Sequence, residues 1–329
     1  MNPQKGRVGA ALLLLIVLTC VLSAQDGRNE GIRIQHFPRT EQSPRPEVSP
    51  HSLKVDVDLV LATVTVTHRD GRFVSGLEKE NFTITEDKVP QEIAYFSSED
   101  VPLSVGIILD VSGSMKDKLK TAVEAAITFM KTGSPDDEYF LVEFSDRPTE
   151  TAEFTSDISK LQSRFMLSKA KGRTALFDAI YMGLAKLEEG NNTKRALLLI
   201  TDGEDNRSRY TFSNVKEFVK ERDIQMFAIG ITSGSMDASA EQGRALLRDL
   251  AAISGGNSFF PSSVYRLEEI CRNIATELKF QYVLGYHSTN QARDGEWRKI
   301  KVTAEYPKNK LTARAKPGYY APSSAASNN

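Results

Sequence analysis

The chain has 329 residues, 40% of them hydrophobic, with 42 Lys and Arg against 43 Asp and Glu. Domains commonly run to about 100–200 residues, so this length predicts one sizeable core and a smaller one. A formal net charge of −1 excludes a whole-chain field that would gather nucleic acid or an anionic membrane surface, which leaves partner choice to a local site. Cys20 and Cys271 are the only cysteines, too few for a disulfide-stapled fold. Cys271 shares a helical face with Leu267, Ile270 and Ile274, the setting of a buried core thiol rather than a reactive one.

The N-terminus has the order of an export signal: Lys5 and Arg7 precede an apolar run over 10–18 that ends near small residues. The wider run over 8–22 is interrupted by Gly9, Thr19 and Cys20 and is shorter than the roughly 20 residues of a spanning helix. Residues 1–24 are therefore expected to be a signal peptide, and the mature protein to be secreted, periplasmic or on the cell surface. Cleavage after Ala24 is one outcome. Lipid attachment at Cys20, in Leu18-Thr19-Cys20, is the other and the only one that brings membrane contact. Residues 25–52, with Pro44-Arg45-Pro46 and Ser49-Pro50, lack an apolar period and read as a linker or disordered arm.

Alternation begins at 53, with Val55, Val57, Leu59, Leu61, Val64 and Val66, then a turn at Asp70-Gly71, then Phe82, Ile84, Ile93 and Tyr95. Residues 53–101 read as a small antiparallel β part. From 102 the pattern changes, because 103–109 is a continuous apolar run of the kind buried on both faces of a parallel sheet. Helical stretches follow at 116–130, 158–165, 175–187, 214–221 and 244–253, alternating with strands at 139–144, 196–200 and 224–231. An edge strand at 257–260 and an amphipathic helix at 264–278 close the unit. Alternating strand and helix over 102–279 predict an α/β fold with a doubly wound, mostly parallel sheet. Residues 280–321 return to strands, with Tyr282 and Leu284, then Trp297, Ile300 and Val302. Each β flank is too small to stand alone, so both are expected to pair into one antiparallel β-sandwich in which the α/β domain is inserted. A polar tail occupies 322–329.

The chemistry-bearing residues cluster at predicted strand ends. Asp110-Val111-Ser112-Gly113-Ser114 follows the first buried run, Gly172-Arg173-Thr174-Ala175 precedes a helix, and Thr201-Asp202-Gly203 follows the second buried run. Open α/β sheets bind ligands beyond the carboxyl ends of their strands, and hydroxyl and carboxyl oxygens brought there suit a hard cation such as Mg²⁺. Any one of these segments could serve merely as a helix cap. Three at equivalent strand ends point to a shared site.

In this order the segments resemble the metal-ion-dependent adhesion site of von Willebrand factor type A domains, over residues 102–279. The flanks, Lys79-Glu80-Asn81-Phe82-Thr83-Ile84-Thr85-Glu86-Asp87 and Lys316-Pro317-Gly318-Tyr319-Tyr320, resemble a bacterial family of exported proteins related to these domains. The resemblance implies a Rossmann-like domain with a metal held by Asp110, Ser112, Ser114, Thr174 and Asp202. The three hydroxyls would touch the ion and the two carboxylates would act largely through waters. Mg²⁺ is the expected ion, with Mn²⁺ or Ca²⁺ as substitutes. Neutral hydroxyls leave such an ion under-neutralised, so it would take an Asp or Glu carboxylate from a partner protein, with Arg173, Met115 and Gly203 on the partner-binding rim. Asp205 and Asn206 read as turn residues.

Other functions fare worse on the same residues. His36, His51, His68 and His287 all lie outside 102–279, so Ser114 lacks a nearby base, and no Gly-x-Ser-x-Gly elbow is present. A phosphoryl-accepting Asp110 would want a second acid where the chain has Ser112. No glycine-rich phosphate loop follows a buried strand, which argues against a nucleotide. The expectation is a non-enzymatic, adhesion-type binding module, with an envelope scaffold carrying a structural metal as the alternative and a hydrolase as the lesser one.

Overall fold

The computed structural model describes Gln35–His36 and residues 59–323 except 203–204, 232–237 and 307–308. The expectations for the signal peptide, for Cys20 and for Gly203 lie outside the described residues, as does nearly all of the expected arm. In chain order the strands and helices are β1 (Gln35–His36), β2 (Leu59–His68), β3 (Val74–Ser75), β4 (Phe82–Glu86), β5 (Val89–Gln91), β6 (Ile93–Ser97), β7 (Leu103–Asp110), α1 (Leu119–Thr132), β8 (Glu138–Phe144), β9 (Pro148–Thr155), α2 (Ile158–Phe165) and α3 (Leu176–Lys186). They continue with β10 (Lys194–Thr201), α4 (Phe212–Lys220), β11 (Gln225–Gly230), α5 (Ala238–Ile253), β12 (Asn257–Phe259), α6 (Leu267–Lys279), β13 (Gln281–His287), β14 (Trp297–Tyr306), β15 (Asn309–Arg314) and β16 (Gly318–Tyr320). None of the described helices is long and apolar enough to cross a membrane.

The α/β part is a six-stranded sheet in the order β12-β11-β10-β7-β8-β9. Every residue of β7 and β11 is buried, which is why these segments read as unbroken apolar runs. Helices cover both faces. Residues of α1, α2 and α6 share one core with Val105, Ile107 and Leu109, while α3, α4 and α5 share the other with Ile108, Leu197 and Leu199. Gly183 lets α3 approach, since a Cβ there would stand 2.6 Å from Ile108 Cδ1. Cys271 is fully buried in the first core, and burial holds its thiol well above the ordinary range.

The sequence reading missed β9. It is antiparallel to β8 and forms the sheet edge, and none of its residues is fully buried. With one side open to solvent, Pro148-Thr149-Glu150-Thr151-Ala152-Glu153-Phe154-Thr155 keeps β-branched residues but loses the apolar signal of an interior strand.

Both flanks build a single β unit. In one leaf β13 lies between β2 and β6, pairing Leu284 with Ala62 and with Phe96; in the other β14 pairs with β4, setting Val302 opposite Ile84. The β14–β15 hairpin joins the leaves, with β15 running antiparallel to β2. Val64, Val66, Tyr282 and Leu284 then meet Phe82, Ile84, Val302 and Ala304 in one core. A small antiparallel sandwich thus interrupts its own sequence with the α/β domain.

A buried polar network ties the sandwich to that domain. Glu277 of α6, 3% exposed, accepts a hydrogen bond from the Thr65 hydroxyl (3.0 Å) and pairs with the Arg314 guanidinium. Arg314 also donates to the Gly255 carbonyl (2.6 Å), and Gln281 bridges Gln225 (2.7 Å) to Thr65 (3.2 Å). Removing one member leaves its neighbours with a buried donor or acceptor unmet. Glu277→Ala is expected to cost about 2–4 kcal/mol, below the full penalty for a broken buried pair because the Arg314 side chain is 28% exposed. Urea unfolding of the variant against wild type measures it.

Candidate metal site

Register brings the site's two carboxylates to one edge. Leu109 pairs with Ile200, so Asp110 and Thr201 end their strands side by side, and Asp202 follows directly. The Asp110 carboxylate is fully buried. Its Oδ2 accepts the Thr201 hydroxyl at 2.6 Å and its Oδ1 the Ser112 amide at 2.8 Å. Burial pushes its carboxyl above the usual carboxylate range, against the pull of the Thr201 and Ser112 hydrogen bonds and with the Asp202 charge adding to the rise.

From there a chain of oxygens crosses the edge. The Ser112 and Ser114 hydroxyls are 3.0 Å apart, and Ser114 Oγ donates to Asp202 Oδ1 at 2.8 Å. The other Asp202 oxygen accepts the Lys118 ammonium at 2.5 Å. Thr174 reaches the same place through its loop. Gly113 N donates to Gly172 O (3.0 Å) and Lys171 N to Val111 O (2.8 Å), joining the two loops, while Thr174 itself is 4% exposed. Gly172 has a φ of +81°, and a Cβ there would stand 2.6 Å from Asp146 Oδ2, so both its turn and its closeness require glycine.

The loop after β10 is tied to Thr174 by a reciprocal pair. Thr174 N donates to Asn206 Oδ1 and Asn206 N to Thr174 O, each at 3.0 Å. Asp205 accepts from Phe177 N at 3.3 Å, and Asp178 accepts the amides of Arg209 and Tyr210 at 2.8 and 3.0 Å. Asp205 and Asn206 are therefore cross-loop ties rather than turn residues alone. Sequence reading missed them, together with Lys118 and Asp146, because polar loop residues carry no period that reveals a contact. Met115 corrects an expectation. It is fully buried and cannot serve on a rim, because the single turn Gly113–Met115 that precedes α1 packs it in the same core as Leu119, Ala122 and Ala126. Arg173 is exposed at the same edge.

The donors suit a hard cation. All are oxygens, and neighbouring ligands around Mg²⁺ at about 2.05 Å stand about 2.9 Å apart, close to the spacing of the two serine hydroxyls. An ion would enter without forcing them apart. Among the described residues the Thr174 hydroxyl has no hydrogen-bond partner, which leaves its oxygen available as a ligand. No group of three or more His, Cys, Asp or Glu side chains gathers anywhere among the described residues, so the oxygens at this edge are two carboxylates with hydroxyls rather than a carboxylate cluster.

The inter-alpha-trypsin inhibitor heavy chain H4 of Bos taurus is 24% identical over 214 residues, 58% of this chain and 23% of that protein, so the chain spans less than a quarter of this relative's length. Among solved structures, the von Willebrand factor domain of the type V pili tip protein Mfa5 from Porphyromonas gingivalis is 14% identical, covering 54% of this chain and 95% of that one with a TM-score of 0.45. A von Willebrand factor type A structure from Catenulispora acidiphila is 12% identical, covering 82% and 75% with a TM-score of 0.47. The model of the von Willebrand factor type A domain matches residues 104–273, from β7 into α6. The chain belongs to the von Willebrand factor type A domain family.

Proposed function

We propose that this chain is an exported, metal-dependent binding module that captures an Asp or Glu side chain of a partner protein through Mg²⁺ held by Asp110, Ser112, Ser114, Thr174 and Asp202. Domains of this family are typically protein-interaction or adhesion modules. The observation that carries the reading is the line of oxygens from Asp110 through Ser112 and Ser114 to Asp202 at the carboxyl edge of the sheet. A divalent ion whose direct ligands are neutral hydroxyls leaves a coordination position facing solvent, and an acidic partner oxygen completes it.

The rim supports the same partner chemistry. Lys116, Lys171, Arg173 and Arg207 are exposed in the three loops that meet there, and none takes part in an ion pair among the described residues. Such a rim speeds and orients the approach of an acidic surface. Binding rather than catalysis is favoured because His68 and His287 belong to β2 and β13 of the sandwich and not to the loops that carry Ser114, Thr174 and Asp202.

Calorimetry with Mg²⁺ tests the site. Wild type should bind one ion, and Asp110→Ala should lose it while staying folded, at a cost of about 1–3 kcal/mol for leaving Thr201 and Ser112 without their acceptor. Unchanged affinity in the variant would refute the site. Asn206→Ala removes no ligand but loosens Thr174, and should weaken Mg²⁺ about tenfold, the scale of outer partners at metal sites. Capture from the organism's envelope fraction tests the partner: retention with Mg²⁺ and release by chelator support an acidic ligand, whereas capture indifferent to metal favours a scaffold.

A further inference from the structure

Lys118 occupies a place that the metal-site reading leaves unexplained. It precedes α1, and its ammonium stands 2.5 Å from Asp202 Oδ2 while Oδ1 is held by Ser114. Both partners are largely withdrawn from water, with side-chain exposures of 18% for Lys118 and 1% for Asp202. An ion pair so enclosed is weakly screened, so its charge counts in the field of the site.

The charge balance gives this contact a consequence. Asp110 and Asp202 ionised bring two negative charges, which a divalent ion would cancel completely. With Lys118 beside them the loaded site keeps one net positive charge, and the metal-free site is only singly negative. We propose that Lys118 is a built-in counter-ion of this site, one that stabilises Asp202 when no divalent ion is bound, weakens the ion's binding, and reserves a positive charge for the acidic group of a partner. The proposal rests on the metal-site reading above and adds regulation of metal affinity to it.

A different role for the same contact predicts the opposite sign. If Lys118 merely oriented Asp202 for the ion, its loss would weaken binding about 10–100-fold, as loss of an outer partner does. Orientation is already supplied elsewhere, because Asp202 follows a buried strand end and its Oδ1 accepts Ser114. What Lys118 alone supplies is charge. Removing a unit charge about 6 Å from a divalent ion should strengthen binding by at least about tenfold, the change expected even with the full screening of bulk water.

Mg²⁺ calorimetry on the full chain decides between them, with wild type, Lys118→Met, Lys118→Gln and Lys118→Arg. The two neutral variants should bind at least about tenfold tighter and Lys118→Arg close to wild type. In chelator Lys118→Met should melt below wild type, and Mg²⁺ should raise its melting temperature by more than it raises that of wild type. Lys118→Gln keeps a donor to Asp202, so it guards against a Met variant that fails to fold. Mg²⁺ binding in the neutral variants equal to or weaker than wild type overturns the counter-ion while leaving the metal site standing. If wild type binds no Mg²⁺, binding that emerges in the neutral variants supports the counter-ion, and none in any form overturns both readings.

Discussion

Asp110 ends one of the two central strands of a sheet whose interior is mostly apolar, yet its side chain is a carboxylate with no exposure to solvent. Burying a carboxylate is costly unless hydrogen bonds or a cation compensate it, and much of the architecture around the strand end answers that demand. The Thr201 hydroxyl comes from the neighbouring strand and the Ser112 amide from the turn that follows. Their positions are set by the parallel register of β7 and β10, which in turn rests on two apolar cores with helices on both faces. The site is thus a consequence of how a parallel sheet ends: strands buried on both faces must release their chains at one edge, and the polar groups placed there have one another for company.

The three loops at that edge act as one body because their backbones bond to each other. Gly172 accepts from Gly113, Asn206 and Thr174 exchange two hydrogen bonds, and Asp178 gathers the amides that precede α4. Preorganisation of this kind lets a site hold its oxygens in place before an ion arrives. The sandwich contributes from the opposite side of the domain's sequence, since Glu277 and Gln281 close α6 and open β13 while bonding to Thr65 of β2. The chain leaves one leaf of the sandwich, builds the α/β domain and returns to pair with the strand it left.

Much of this was legible in the sequence because burial on two faces writes an unmistakable pattern. The apolar runs at 103–109 and 196–200 fixed β7 and β10, and with them Asp110 and Asp202 at strand ends. Alternation at 55–66 and 280–284 marked strands that could not stand alone, and their pairing follows from that need. Edge and loop features were harder. The half-exposed β9 lacks an apolar period, while Lys118 and Asn206 act through contacts 84 and 32 residues away in the chain, which no local pattern encodes. Met115 was different: it enters the core beside Leu119, Ala122 and Ala126 from the single turn that precedes α1, and its place next to Ser114 in the motif obscured its apolar character.

The central claim is that oxygens from three loops enclose a single hard cation at the carboxyl edge of β7 and β10. Anomalous diffraction from crystals grown with Mn²⁺ measures this most directly, because Mn²⁺ accepts the same oxygen ligands and scatters anomalously. One strong peak within about 2.3 Å of the Ser112 and Ser114 hydroxyl oxygens, with Thr174 facing it, is the result this account predicts. A peak confined to another part of the molecule, or none at a saturating concentration of Mn²⁺, would contradict it.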